Sequence, residues 1–190
     1  MNLALWLQRH ARTDPDRTAV FAGASAWKSY GRLAGDVASL ARGMREKLGL
    51  APGDRVALVM ANSPEYAEIL LAAWWAGLAC VPVNAKLHPR EVAFILEDSG
   101  AGAVFATPGW IAGLAEATTG LARAPDVIEA GSVGYGALFG EPMPASPVAD
   151  DALAWLFYTS GTTGRPKGAM LSHANLRAMA QGYLTDVDAV

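Results

Sequence analysis

The residues with the clearest chemical capacity lie close together late in the sequence. Thr159, Ser160, Thr162 and Thr163 supply four hydroxyls among Gly161 and Gly164, and Pro166, Lys167 and Gly168 follow. Glycine accepts positive φ and has no side chain, so backbone N–H groups in such a loop can turn together toward an anion. The hydroxyls add donors, and Lys167 adds a single mobile positive charge. This combination suits a polyphosphate. An ordinary turn shares the small residues, but not the Pro-Lys-Gly closure at a set offset. Nor is this a Walker loop, where Gly-Lys-Ser/Thr opens a helix. Here Gly168-Ala169-Met170-Leu171 reads as a strand leaving the loop.

Such a loop needs a strand to carry it in and elements behind to hold it. The apolar run at 153–157 is the expected incoming strand, and a helix is expected from His173 onward. Upstream, a short helix is expected over 3–12, then a hairpin of strands at 18–21 and 26–27 around Gly23. Ser29 is placed to cap a long helix whose Leu33, Val37, Leu40 and Met44 keep helical spacing. The near-continuous apolar strand at 55–60 implies cover on both faces. Strands at 79–83, 103–106 and 127–128 alternate with helices expected at 64–76, 89–98 and 108–123. That alternation predicts an α/β fold, a mostly parallel sheet with helices on both faces. Ser63, Pro64 and Glu65 read as a helix start. The chain divides into a βα scaffold (1–130), an irregular Gly- and Pro-rich connection expected to run over the surface (131–151), and the strand, loop and helix of 152–190.

Composition narrows the function classes. Apolar residues at 52% and charged residues at 17% provide a core and argue against disorder. A net charge of −3 without a Lys/Arg cluster gives no basis for nucleic-acid binding. The apolar stretch 69–83 is short for a membrane span and is interrupted by a helix stop at Gly77. The lone Cys80 has no internal partner and sits in apolar sequence, so a buried thiol and a reducing cytoplasm are expected. The N-terminal residues do not read as a signal peptide.

The stretch Tyr158-Thr159-Ser160-Gly161-Thr162-Thr163-Gly164-Arg165-Pro166-Lys167-Gly168 resembles the phosphate-binding signature of the AMP-forming adenylating enzymes. That family includes acyl-CoA synthetases, aryl-CoA ligases and peptide-synthetase adenylation domains. Ser29-Tyr30-Gly31-Arg32-Leu33, Pro52-Gly53-Asp54-Arg55-Val56, Asn62-Ser63-Pro64-Glu65, Val81-Pro82-Val83-Asn84 and Ile95-Leu96-Glu97-Asp98-Ser99-Gly100 resemble further landmarks of the family, in order. The resemblance implies the N-terminal part of the large domain of such an enzyme. It implies activation of a carboxylic acid with MgATP as an acyl-adenylate, release of pyrophosphate, and transfer of the acyl group to CoA. Thr159, Ser160, Gly161, Thr162, Thr163, Gly164 and Lys167 match the loop that holds the β- and γ-phosphates. No general base is assigned, because a carboxylate is already a nucleophile. No metal ligand is assigned either; by resemblance the magnesium ligand, the adenine and ribose contacts and the C-terminal domain lie beyond residue 190.

The expected acid is a fatty acid, on overall resemblance; aryl and short-chain acids and a peptide-synthetase domain are the other readings. A rival of another class is a non-catalytic chain that needs a separate C-terminal partner. The 190-residue chain alone is expected to be inactive. About 6–12 kcal/mol from four charge-assisted loop bonds nearly balances about 4–15 kcal/mol of association cost, so ATP binding is expected near millimolar at best. Self-association through an unfinished sheet edge is also expected. Elsewhere, His173 reads as a capping or buried histidine and Trp74-Trp75 as core. Arg90-Glu91 and Glu97-Asp98 read as a solvated helix face, and Asp150-Asp151 as a turn.

Overall fold

The computed structural model describes residues 1–159 and 166–186. Helix α1 (Leu5–Thr13) leads into a hairpin of β1 (Thr18–Ala22) and β2 (Ser25–Ser29), which stands as a separate two-stranded sheet. Ser29 then caps α2 (Tyr30–Glu46), its hydroxyl accepting from the Arg32 N–H at 3.3 Å. The main sheet is built from β3 (Arg55–Val59), β4 (Ala79–Val83), β5 (Ala103–Ala106), β6 (Asp126–Glu129), β7 (Leu153–Thr159) and β8 (Lys167–Ser172). Their spatial order is β6-β5-β3-β4-β7-β8, with every pairing parallel except β7 with β8. The expected α/β architecture is therefore present.

Right-handed crossovers explain which helix lies where. The chain steps from β3 to β4 in one direction, so α3 (Pro64–Trp75) covers one face. It then steps back past β3 to β5 and on to β6, so α4 (Pro89–Ser99) and α5 (Ile111–Ala117) cover the opposite face. The return from β6 to β7 reverses again and crosses the first face, carrying the one-turn helix α6 (Val133–Gly136). The strand residues alternate accordingly. Val56, Leu58, Cys80 and Phe105 join α1, α2 and α3 in one core cluster, and Ala57, Val59, Val81 and Val104 join α4 and α5 in the other. The stretch 69–83 divides as expected, α3 ending before the turn that leads into β4.

Three local expectations need correction. The helix expected at 108–123 is a 3-10 turn at Pro108–Trp110 followed by α5, which stops at Ala117. Thr118 and Thr119 end it, their hydroxyls bonding back to the Leu114 and Ala115 carbonyls at 2.8 and 2.7 Å; such back-bonding by β-branched residues competes with helix continuation. Ser63 precedes α3, but its hydroxyl makes no cap bond, and the Tyr66 N–H goes instead to the Ser63 carbonyl at 3.1 Å. The connection after β6 is irregular yet firmly held. Tyr135 and Leu138 are buried. Arg42 donates to the Glu141 carbonyl at 2.6 Å, Lys47 to the Ala137 carbonyl at 2.5 Å, and the Trp75 indole to the Met143 carbonyl at 2.8 Å.

A buried polar network joins these layers. Glu68 on α3 is 1% exposed, accepts from the Tyr135 hydroxyl at 2.6 Å and is ion-paired to Lys28. Lys28 also reaches Asp36 at 2.8 Å and lies over the Trp27 ring. Burial first, then the Glu68 charge and hydrogen bond, push the Tyr135 phenol far upward, so it donates at any physiological pH.

Candidate functional site

Strands β7 and β8 form the antiparallel hairpin that carries the predicted phosphate loop. Thr159 pairs with Lys167 across the hairpin, and Tyr158 pairs with Gly168. Both Thr159 and Lys167 are exposed. Of the sequence-predicted site residues these two are described, and the structure brings them opposite each other where the strands emerge from the sheet. Ser160, Gly161, Thr162, Thr163 and Gly164 lie outside the described residues.

The position of this hairpin follows from packing. Strand β7 runs parallel to β4 through the Cys80–Trp155 pair, so Thr159 stands at the carboxyl end of the parallel sheet. Ligands of open α/β sheets bind beyond this end of the strands. Two adjoining clefts lie there. One, of about 560 Å³, is bordered by Met60, Asn62, Tyr66, Asn84, Lys86 and Phe157. The other, of about 300 Å³, is bordered by Asn84, Glu91, Tyr158, Thr159 and Pro166. Burial, with a smaller effect of Cys80, pushes the Tyr66 phenol up to about 12, so it stays protonated beside the first cleft at neutral pH. The Thr159 hydroxyl borders the second cleft, and the exposed Lys167 stands across the hairpin from it, a hydroxyl and a cation suited to an anionic ligand.

Two contacts steady the hairpin from beneath. A Cβ added to Gly168 would stand 2.9 Å from Leu156 Cδ1 and 3.1 Å from Tyr158 Cζ, so the Tyr158 ring lies directly against a bare backbone. The Tyr158 hydroxyl donates to Asp98 Oδ2 on α4 at 2.5 Å. Burial first, then the hydrogen bond to Asp98 and its charge, drive this phenol well above its ordinary range. The sequence reading placed Asp98 on a solvated face and missed this contact. A signal was present: acids in the last turn of a helix face the negative end of its dipole and call for another reason to be there.

Behind the hairpin, α7 (His173–Asp186) begins at a buried anchor. His173 is 1% exposed, as the structural reading expected, and its Nδ1 accepts from the Leu3 N–H at 3.3 Å. Burial, and secondarily the terminal amine, push its imidazole down to about 4. Trp74 packs edge-on against it and donates from its indole to the Ala154 carbonyl at 2.8 Å, tying α3 to the start of β7. Asp150 does more than turn the chain, since it pairs with the terminal amine and with Arg177 at 2.9 Å. His88 and Glu91 form a capping box on α4, rather than a merely solvated face. Cys80 is buried, its thiol raised by desolvation. Among the described residues no group of three or more His, Cys, Asp or Glu could hold a metal, and no helix is long and apolar enough to cross a membrane.

The family model of the AMP-binding enzymes matches residues 7–190. The feruloyl-CoA synthase of an Amycolatopsis species is 42% identical over 187 residues, covering 98% of this chain and 36% of that protein. The long-chain-fatty-acid–CoA ligase FadD13 of Mycobacterium tuberculosis is 37% identical over 149 residues, covering 74% of this chain and 29% of that protein. Among solved structures, a benzoate CoA ligase from Burkholderia xenovorans superposes with a TM-score of 0.85 at 26% identity, covering 97% of this chain and 37% of that one. The chain thus spans about a third of the length of the curated relatives it matches. It belongs to the AMP-binding enzyme family.

Proposed function

We propose that this member of the AMP-binding enzymes supplies the phosphate-holding, N-terminal portion of an ATP-dependent acid–CoA ligase. The observation that carries this reading is the Thr159–Lys167 pair, exposed at the carboxyl end of a parallel sheet within a near-complete match to the family signature. In that role Lys167, Thr159, Ser160, Thr162, Thr163 and the amides around Gly161 and Gly164 hold the β- and γ-phosphates of ATP. The acid's carboxylate oxygen attacks the α-phosphorus, the bond to the bridging oxygen breaks, and pyrophosphate leaves with its charge held by the loop. The CoA thiol then displaces AMP from the acyl carbon. Magnesium would accompany the phosphates and neutralise part of their charge.

The acid is a fatty acid or an aromatic acid. The aromatic reading is favoured by the 42% identity to feruloyl-CoA synthase over nearly the whole chain, against 37% over three-quarters of it for the fatty-acid ligase. Work in the cytoplasm accords with a single buried cysteine. Supplying feruloyl-type and long-chain acids in turn to the natural gene product, with labelled pyrophosphate, tests the reading. Label should enter ATP only when a suitable acid is present; a gene product that catalyses no exchange with any carboxylic acid points to the non-catalytic rival.

A further inference from the structure

We propose that Asp98 is a positioning residue for nucleotide binding, fixing through Tyr158 the two strand ends that present Thr159 and Lys167. The inference rests on the reading of those residues as the phosphate holders.

The geometry has three parts. Tyr158 sits one residue before Thr159, and its cross-strand partner Gly168 sits one residue after Lys167. The Tyr158 ring is pressed against the Gly168 backbone, so any shift of the ring moves both strands together. The far end of the ring is anchored to a different element, its hydroxyl donating to Asp98 Oδ2 at 2.5 Å across 60 residues of sequence. A phenol–carboxylate bond is charge-assisted and among the stronger side-chain contacts.

Asp98 is also poorly placed for any purely local purpose. It occupies the last turn of α4 beside Glu97, and that turn has no basic residue of its own. Two negative charges there oppose the helix dipole. The α4 terminus is capped from outside the helix, Arg55 donating to the Ser99 carbonyl at 2.7 Å and to the Gly100 carbonyl at 3.2 Å. Asp98 contributes to none of these bonds. A residue that works against its own helix is expected where a site demands it. Glycine at 168 suits this seat, since a Cβ there would crowd Leu156 at 2.9 Å and the Tyr158 ring at 3.1 Å.

The test uses the natural gene product carrying Asp98→Ala, Asp98→Asn, Tyr158→Phe and the Ala/Phe double variant. One readout is KM for MgATP against KM for the acid and kcat; the other is backbone hydrogen exchange in β7 and β8 against β3. Asp98→Ala and Tyr158→Phe should each raise KM for MgATP about fivefold, the loss of one partly exposed charge-assisted bond. KM for the acid should stay unchanged, and β7 and β8 should exchange faster while β3 does not. The double variant should be no worse than either single, since both remove one bond. Asp98→Asn keeps an acceptor oxygen and should recover most of the loss. Unchanged exchange in β7 and β8 overturns the tie. Faster exchange with an unaltered KM for MgATP, or a fully additive double variant, overturns the positioning role. Absence of acid-dependent pyrophosphate exchange in the parent would instead defeat the ligase reading, and hydrogen exchange would still decide the tie.

Discussion

His173 shows how much one side chain can hold in place. The imidazole accepts from Leu3 while buried against Trp74, so it must stay neutral in the folded chain. Its folded pKa of about 4 lies below the ordinary value of 6.5, so between these pH values the unfolded chain binds the proton more readily. Stability from this residue is complete above about pH 6.5 and is lost as pH falls toward 4, on the order of 3 kcal/mol in all. Denaturant titrations at pH 7 and 4.5 should show that drop, and His173→Asn, whose Oδ1 can replace Nδ1 as acceptor without titrating, should show a smaller one. Lys167 is the opposite kind of residue. It is exposed and contributes little to the core, so Lys167→Ala should leave the melting temperature nearly unchanged. The same substitution should cut kcat/KM for ATP about a hundredfold, the usual cost of one preorganised donor to developing charge. The buried, structural place of His173 was legible from residue type and neighbours. The link from Tyr158 to Asp98 was not, because periodicity shows which face a residue occupies but not which distant element meets it.

At the scale of elements, the strands and the long helices were read correctly because apolar spacing and Gly or Pro punctuation agreed. The misreading of 108–123 came where they did not. Ile111, Leu114 and Leu121 keep an apolar rhythm, while two consecutive threonines whose hydroxyls bond backward stop the helix after Ala117. The 130–152 connection misled in a different way. Its prolines and glycines predict irregular backbone, and the backbone is irregular, but side chains of α2 and α3 pin it to the core. Tyr135 is the chief buried contact of that segment. Tyr135→Phe should cost about 1–2 kcal/mol, because Glu68 then keeps its charge in the core with one fewer donor. Glu68→Ala should cost more, about 2–4 kcal/mol, since the buried Tyr135 hydroxyl loses its acceptor and Lys28 keeps only Asp36. Gly43 on α2 gives a further check. A Cβ there would stand 2.0 Å from the Leu138 carbonyl oxygen, so Gly43→Ala should force α2 and this segment apart. Equilibrium unfolding of the three variants would rank them.

At the scale of the whole molecule, exposed apolar side chains gather beside one edge of the described sheet. Strand β8 is the last in the sheet, with Met170 70% exposed, and Met179, Tyr183 and Leu184 on α7 are exposed as well. An open strand edge beside apolar side chains favours pairing with another chain. The purified 190-residue chain should therefore associate in sedimentation velocity as concentration rises, and Met170→Lys should reduce that. A strictly monomeric parent would remove the argument. Sequence showed that the sheet would be mostly parallel and that the loop would follow a strand. Which strand would neighbour β7, and hence which clefts meet Thr159, depends on the crossing from β6 over one face of the sheet, and local patterns do not encode that. The Thr159–Lys167 hairpin is proposed to serve acid activation by ATP. Acid-dependent exchange of labelled pyrophosphate into ATP by the natural gene product, beside its Lys167→Ala variant, tests it most directly. Exchange should require a carboxylic acid and fall about a hundredfold in the variant; exchange that ignores Lys167, or none with any fatty or aromatic acid, would overturn this role.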